Sequence, residues 1–455
     1  MAFVVYLWSV LLEFLSWTWW FWAFLILWPL FKSTWIYWRN EWFEESSNFR
    51  TLVLEMLIPR EIKRNPKAME QVLMGIHQLR NAPGDFREYW WDGELTRWIS
   101  LEMASFGGEV HFYLRVYYKQ RGLIEASFYA NYPDIELVEV DDYTSRFPKD
   151  IHEMYRQGYD LWGGEMKLAR EGAYPIKSWL EFESPEEEKQ YDPMGQFLEV
   201  LGKIKREEMV AIQILAAPAL DNWIKPHEAI VRKLKESKFK EGAQGSAKTA
   251  AEFPGGPLPA LSTASEKSDA LSAMQRILFQ RTPGETDVLK AVEENLAQPA
   301  FRCMVRFIYF SPKTMFYDSF ARRGLSGCFN QYATLDLNRF LVNYAVSTRT
   351  KLWQKPFIFP KLRNEYRKQR LLEYFKHRRY APHRIVGKFM TSYWLNWNFS
   401  NKECELSVAS LATLYHPPMY VTLTAPHVRR VESRKVAPPA GLAIYGGEEE
   451  IDRFK

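Results

Sequence analysis

The stretch ISLEMASFGGEVHFYLRV, residues 99–116, decides how the chain is read. Ile99, Leu101 and Met103, then Val110, Phe112, Leu114 and Val116, recur at every second residue, the period of a strand with one buried face. Gly107-Gly108 lies between the two series and suits the positive φ of a tight turn, so the stretch reads as a β-hairpin. Upstream, residues 49–58 are strand-like, and Asn65-Pro66 opens a helix with Met69, Val72, Leu73 and Ile76 on one face. Downstream come a weaker helix over 120–131, the turn Tyr132-Pro133-Asp134 and a strand over 135–140. The order β-α-β-β-α-β predicts a ferredoxin-like unit over 48–145.

A second copy is expected over 158–350. Its parts are a strand over 164–169, a helix opened by Asp192-Pro193 with Met194, Phe197, Leu198 and Leu201 on its apolar face, and a strand over 209–215. The hairpin partner of that last strand, 301–310, is separated from it by a long interruption. A helix from Ser311-Pro312 through Met315, Phe316 and Phe320 and a closing strand over 339–346 complete the unit. The interruption, about 235–269, is rich in Gly, Ala, Ser, Pro and Lys and is expected to be flexible. Thr282-Pro283-Gly284-Glu285 then starts a helix with a capping-box pattern.

The chain has 455 residues, 47% of them apolar and 25% charged, which fits a folded protein of several domains and excludes global disorder. Its net charge of +5 does not mark the whole surface as a nucleic-acid binder. Cys303, Cys328 and Cys404 are widely spaced, with neither a zinc-ribbon nor a disulfide pattern, and are read as buried small hydrophobes in a reducing compartment.

Nine of the 18 Trp fall within the first 42 residues. Glu13 is the one charge before Lys32, and residues 14–31 form an uncharged run long enough to cross a bilayer core, for which about 17 to 25 helical residues suffice. Residues 1–45 are therefore read as a membrane anchor. One long helix is preferred over a short hairpin, with Trp35, Trp38 and Trp42 at the headgroup level. Lys32 and Arg39 follow the run and no Lys or Arg precedes it, which predicts a single pass in the cell inner membrane with the body cytoplasmic.

Motifs for chemistry are missing. No GxxxxGK[ST] run exists to cradle a triphosphate, and His152-Glu153 and His227-Glu228 lack the second His of a zincin. There is no GxSxG nucleophile signature. Gly107-Gly108, Gly163-Gly164 and Gly255-Gly256 read as turns or linker, and the Asp141-Asp142 and Glu186-Glu187-Glu188 runs as solvated loops. No cofactor, metal site or catalytic residue is expected. The strongest charge feature is residues 361–384, where Lys361, Arg363, Arg367, Lys368, Arg370, Lys376, Arg378, Arg379 and Arg384 face only Glu365 and Glu373. Leu362, Tyr366, Leu371, Leu372 and Phe375 interleave with them, giving a basic amphipathic helix in a helical C-terminal region, 351–455. These nine cations are the candidate contacts to nucleic acid, lipid or a protein partner.

Several phrases carry a resemblance when taken together: Pro66-Lys67-Ala68-Met69-Glu70-Gln71-Val72, Tyr132-Pro133-Asp134, Tyr174-Pro175-Ile176-Lys177, Asp192-Pro193 and Leu411-Ala412-Thr413-Leu414-Tyr415-His416-Pro417. Over about residues 40–435 the chain resembles the non-motor region, of unknown function, that precedes the TraD/TraG-like conjugative coupling ATPase domain in large membrane-anchored proteins of candidate-phyla bacteria. That resemblance implies a scaffold or adaptor for a type IV secretion or conjugation-like DNA-translocating ATPase. Its implied partners are membrane lipids, a separate P-loop ATPase, DNA and other copies of itself. Because no P-loop follows, a motorless paralogue, a split gene and a truncation are all left open. The rival reading is a membrane-tethered nucleic-acid binder that uses residues 361–384.

Overall fold

The computed structural model describes residues 2–46, 50–59, 64–183, 191–235, 283–317, 324–349, 357–382, 385–392, 400–419 and 430–431. The protein is an α+β structure with one long apolar N-terminal helix and a nine-stranded, antiparallel sheet. Helix α1 runs unbroken over Ala2–Glu45, so the hairpin alternative is not adopted. It is long and apolar enough to cross a membrane, and Trp17, Trp19 and Phe24 stand out among its exposed side chains.

The strands are β1 (Thr51–Pro59), β2 (Ile99–Phe106), β3 (Glu109–Tyr117), β4 (Glu136–Val140), β5 (Tyr159–Leu168), β6 (Met209–Pro218), β7 (Ala300–Pro312), β8 (Phe340–Val342) and β9 (Cys404–Ser407). Their order across the sheet is β4-β1-β3-β2-β6-β7-β5-β8, with β9 on the first residues of β7. Each half reads fourth, first, third, second from the outer edge inward. The halves meet along β2 and β6, paired from Ile99 opposite Ala216 to Phe106 opposite Met209. Strand β6 pairs with β7 from Met209 opposite Phe310 to Pro218 opposite Phe301, across the long interruption. A two-residue parallel bridge joins Arg430 and Val431 to the end of β1.

The hairpin of residues 99–116 forms with Leu101 opposite Leu114 and Met103 opposite Phe112. Gly107 and Gly108, at φ +63° and +99°, make its turn, and a Cβ on Gly108 would sit 2.9 Å from the Gly202 carbonyl. Alternation describes only one of its faces, because the sheet is covered on both. On the first face lie α2 (Lys67–Gln78), α3 (Arg121–Asn131) and α5 (Met194–Gly202), with α4 (Ile151–Arg156) across the sheet from them. Met69, Val72, Leu73 and Ile76 of α2 are all buried against Leu101, Phe112 and Leu114. A further helix, α6, spans Pro283–Leu296. The C-terminal part supplies α7 (Pro360–His377), α8 (Ile385–Met390) and α9 (Val408–Leu414). Helix α9 joins α2 on the first face, and α7 joins α4 on the second, packing Leu371, Leu372 and Phe375 onto Ala104, Tyr113, Ala211 and Ile308. Among the described residues after 356, α7 and α9 thus complete the two layers and β9 joins the sheet.

Local expectations changed in several places. Gly163-Gly164 is not a turn but the middle of β5, where a Cβ on Gly163 would run into the Phe307 backbone carbonyl of β7 and also meet the Leu371 Cδ2 of α7 at 2.7 Å; the strand needs glycine mainly because of its close approach to β7. No helix starts at Ser311-Pro312: β7 runs through both, and residues 313–317 form a turn held by Met315 N–H donating to the Pro312 carbonyl at 3.1 Å. The closing strand shortens to β8 because Asn343 turns the chain, its backbone N–H donating to the Glu165 carbonyl and its side chain to that of Ser400. Residues 186–188, 236–269 with Gly255-Gly256, Phe320, Arg384 and 432–455 lie outside the described residues.

Candidate functional site

The basic segment and the end of α1 meet at one place, the junction where the long helix enters the body. Residues 36, 40, 43 and 44 lie on one face of α1 at helical spacing, and Ile36 and Phe43 are buried there. Phe43 packs with Trp98, Leu215, Met304 and Ala381. Arg379 pairs with Glu41 at 2.9 Å, fastening the residues after α7 to α1. Beside this pair is a cavity of about 270 Å³ lined by Tyr37, Glu41, Glu44, Trp98, Arg302 and Tyr380, among others. Burial, with Glu41 close by, pushes the Glu44 carboxyl up to about 7. Burial also raises the Tyr37 phenol, with Glu41 adding to it. Burial opposes the charge of Arg379, but Glu41 and Glu44 outweigh it and hold its pKa above the ordinary value.

Five other cations of the segment are turned inward. Across the sheet, on the α7 side, runs a row of polar residues in register: Glu55, Tyr113, Glu102, Gln213, Arg306 and Glu165. All six are buried. The row meets the C-terminal end of α7, whose last carbonyls lack helical partners and carry partial negative charge. Gln213 Nε2 donates to the Phe375 carbonyl at 3.1 Å, and an Arg306 guanidinium N–H donates to that of Tyr374 at 3.4 Å. Arg306 also pairs with Glu165 at 3.0 Å. Arg378 ends α7 in the left-handed region, φ +51°, and points back into the row. It contacts Glu102 at 2.6 and 3.0 Å and Asp142 at 2.6 and 3.0 Å. Burial alone would lower the Arg378 pKa, but Glu102 and Asp142 raise it above the ordinary value. Likewise burial opposes the charge of Asp142, and Arg378 prevails and lowers its carboxyl.

Of the nine candidate cations, Arg363, Arg367, Lys368, Arg370 and Arg378 are buried. Arg367 donates to the carbonyls of Tyr344 and Ser347, and burial with the neighbouring Arg363 and Arg370 lowers its pKa. Lys368 pairs with Asp160. Lys376 is half-buried and donates to the Pro148 carbonyl at 3.1 Å. Lys361 is exposed. A phosphate needs cations at the surface, and this geometry turns most of them into the lining between α7 and the sheet. The counter-charges Glu41, Glu102, Asp142 and Asp160 are scattered in sequence and carried no signal of their role. The three Trp candidates remain together on α1. Trp38 and Trp42 are exposed, whereas Trp35 is half-buried and its Nε1–H donates to the Trp90 carbonyl at 2.8 Å.

Elsewhere, titratable groups form pairs. His111 lies 2.7 Å from Glu55, His227 2.7 Å from Glu405 and His416 3.1 Å from Asp192. Among the described residues no three metal-ligating side chains converge. All three cysteines are buried; burial raises the Cys303 thiol far above its ordinary value and pushes those of Cys328 and Cys404 up to about 12.

The phrases that carried the family resemblance converge although more than 300 residues separate the first from the last. Asp192 Oδ1 accepts from the Met194 backbone N–H at 2.7 Å and faces His416, while its Oδ2 accepts from the Met419 N–H at 2.8 Å. Trp179, just after the Tyr174 phrase, donates from its backbone to Thr413 Oγ1 at 3.0 Å and from its indole to Glu70 at 2.6 Å. These phrases weld α2, α5 and α9 together, so their chemistry is that of packing. No curated protein matches the chain. A family model described as a domain of unknown function, DUF8128, matches residues 38–416, and nothing in that match links it to TraD/TraG-like proteins. It covers the body from the junction to the end of the His416 phrase, well over half of the chain, and on that extent the chain belongs to the DUF8128 family.

Proposed function

We propose that the protein is a membrane-anchored scaffold. In this reading α1 crosses the inner membrane once, and the cytoplasmic body is two ferredoxin-like units joined through their second strands. The strand order, fourth-first-third-second in each half, supports the duplicated unit. The single observation that carries the scaffold reading is α1 itself: most of the described side chains from Tyr6 to Phe31 are apolar and exposed, whereas Ile36 and Phe43 on the same continuous helix are buried in the body. A helix shared in this way transmits position rigidly from bilayer to body, which an adaptor needs and a flexible tether does not provide. The body would then hold a separate P-loop ATPase of the coupling-protein type near the membrane, a partner inferred from sequence resemblance alone. Burial of five of the nine cations favours this over direct nucleic-acid binding.

The test is to solubilise the full chain from its native membrane in mild detergent and identify what co-purifies. A stoichiometric P-loop ATPase is expected. Recovery of the chain without one, together with DNA affinity that falls steeply with salt, would replace the scaffold with the nucleic-acid binder.

A further inference from the structure

Two segments distant in sequence flank α1 at one level. The first is the π-helical turn Glu88–Asp92 with Phe86 before it, and the second is α8. The turn docks on α1 through the Trp35 to Trp90 hydrogen bond, Lys32 Nζ placed 4.6 Å over the Trp90 ring, and the Trp35 and Trp91 rings 6.1 Å apart. Gly93, at φ +67°, brings its backbone so close that an added Cβ would lie 2.6 Å from the Arg39 carbonyl carbon. On another side Gly387 of α8 lies against the Tyr37 ring, with room for no Cβ. While these inner faces are packed, the outer ones present large apolar side chains: Phe86 is 78% exposed, Trp91 63%, Ile385 74%, Phe389 56% and Met390 63%.

Their position explains that exposure. The contacts fall on residues 32, 35, 37 and 39 of α1, within about 12 Å along the axis beyond Phe31, where the uncharged run ends. The run 14–31 is about 27 Å long, close to the thickness of the hydrocarbon core. The headgroup layer outside that core is about 5 to 8 Å deep on each side, so the contacts at residues 32 and 35 fall within it and those at 37 and 39 just beyond its outer edge. Trp, Phe and Met are favoured there, because an amphipathic or polarisable side chain can face acyl chains and water together.

We infer that Phe86–Asp92 and α8 form a collar that inserts into the lipid headgroup layer around α1 and seats the body on the bilayer surface. The occupant is lipid rather than a second copy because the exposed faces continue the lipid-facing surface of α1 itself. Cations (Lys32, Arg39, Arg87, Lys388) nearly balance acids (Asp85, Glu88, Asp92) in the collar, so apolar burial drives the insertion and salt leaves it in place. The inference rests on the anchor reading.

The experiment uses the full chain in nanodiscs of phosphatidylcholine with about one-third phosphatidylglycerol. Single cysteines at Phe86, Trp91, Phe389 or Met390 carry an environment-sensitive fluorophore, the three native thiols being buried. Trp20 in mid-span and Leu123 on α3 serve as references. Lipid-borne nitroxide should quench the four collar labels and Trp20 but not Leu123, at both 0.1 and 0.5 M NaCl. Quenching at Trp20 with collar labels open to aqueous iodide overturns the collar and leaves the anchor standing. Collar labels shielded from both quenchers mean that a protein surface covers them, which also overturns it. No lipid quenching at Trp20 refutes anchor and collar together.

Discussion

Arg378→Met tests whether the basic segment works from inside the fold. Arg378 is 2% exposed, and its guanidinium is the cation shared by Glu102, which is fully buried, and Asp142. Methionine keeps most of the buried stem but leaves Glu102 hydrogen-bonded only to the neutral Ser100, Tyr143 and Gln213, with the half-buried Arg115 as its remaining, unbonded cation. Removing one member of such a buried pair costs about 3 to 5 kcal/mol, because the remaining charge has lost both water and its counter-ion. For the roughly 300 described residues of the body the unfolding entropy is about 0.6 kcal/mol per kelvin, so the loss corresponds to roughly 5 to 8 °C in Tm. Adding Glu102→Gln removes the stranded charge and should recover most of the shift. Asp142, whose side chain is 43% exposed, can turn to water. Differential scanning fluorimetry in detergent reads all three proteins through their tryptophans. If Arg378→Met lies within 1 °C of wild type, or if Glu102→Gln worsens it further, the pair does not hold α7 to the sheet.

Other tests follow from the same geometry. The Glu44 carboxyl is raised to about 7 in the folded protein, so the unfolded chain releases its proton first and stability falls as pH rises from about 4.5 towards 7. Glu44→Gln should therefore raise Tm at pH 8 and leave it unchanged at pH 5, and equal effects at both pH values would contradict the burial. Gly163→Ala should cost about 1 to 3 kcal/mol by pushing β5 against the Phe307 carbonyl of β7 and displacing the Leu371 side chain, read as a lower urea midpoint at unchanged m-value. Truncation should separate the two roles of α1. Deleting residues 2–31 should leave the melting temperature of the body intact, whereas deleting residues 2–45 also removes buried Ile36 and Phe43, at about 1.5 to 3 kcal/mol each, and should lower it.

By itself the sequence determined what depends on short-range pattern. The run 14–31 states a helix able to cross a bilayer because length and lack of charge suffice for that reading. The hairpin of 99–116 and the face of α2 were legible because their periods, two and about 3.6, are local properties of strand and helix. The pairing of β6 with β7 across the long interruption could be proposed from the repeated element order. What only the tertiary structure decided is where each polar face points. The cations of 361–384 read as a surface because charge is normally solvated, yet α7 covers the second face of the sheet, and Glu102, Asp142 and Asp160 there neutralise what would otherwise be excluded. Gly163-Gly164 read as a turn because a strand seldom wants glycine, and its reason, the close approach of the Phe307 carbonyl on β7 with Leu371 behind it, comes from more than 100 residues away. The junction followed the same logic: Trp35 was read from its own neighbourhood alone, but Trp91, Gly93 and Gly387 reached α1 only when folding carried separate segments to it. Periodicity is encoded along the chain, whereas burial of a charge or a glycine depends on partners that only folding selects.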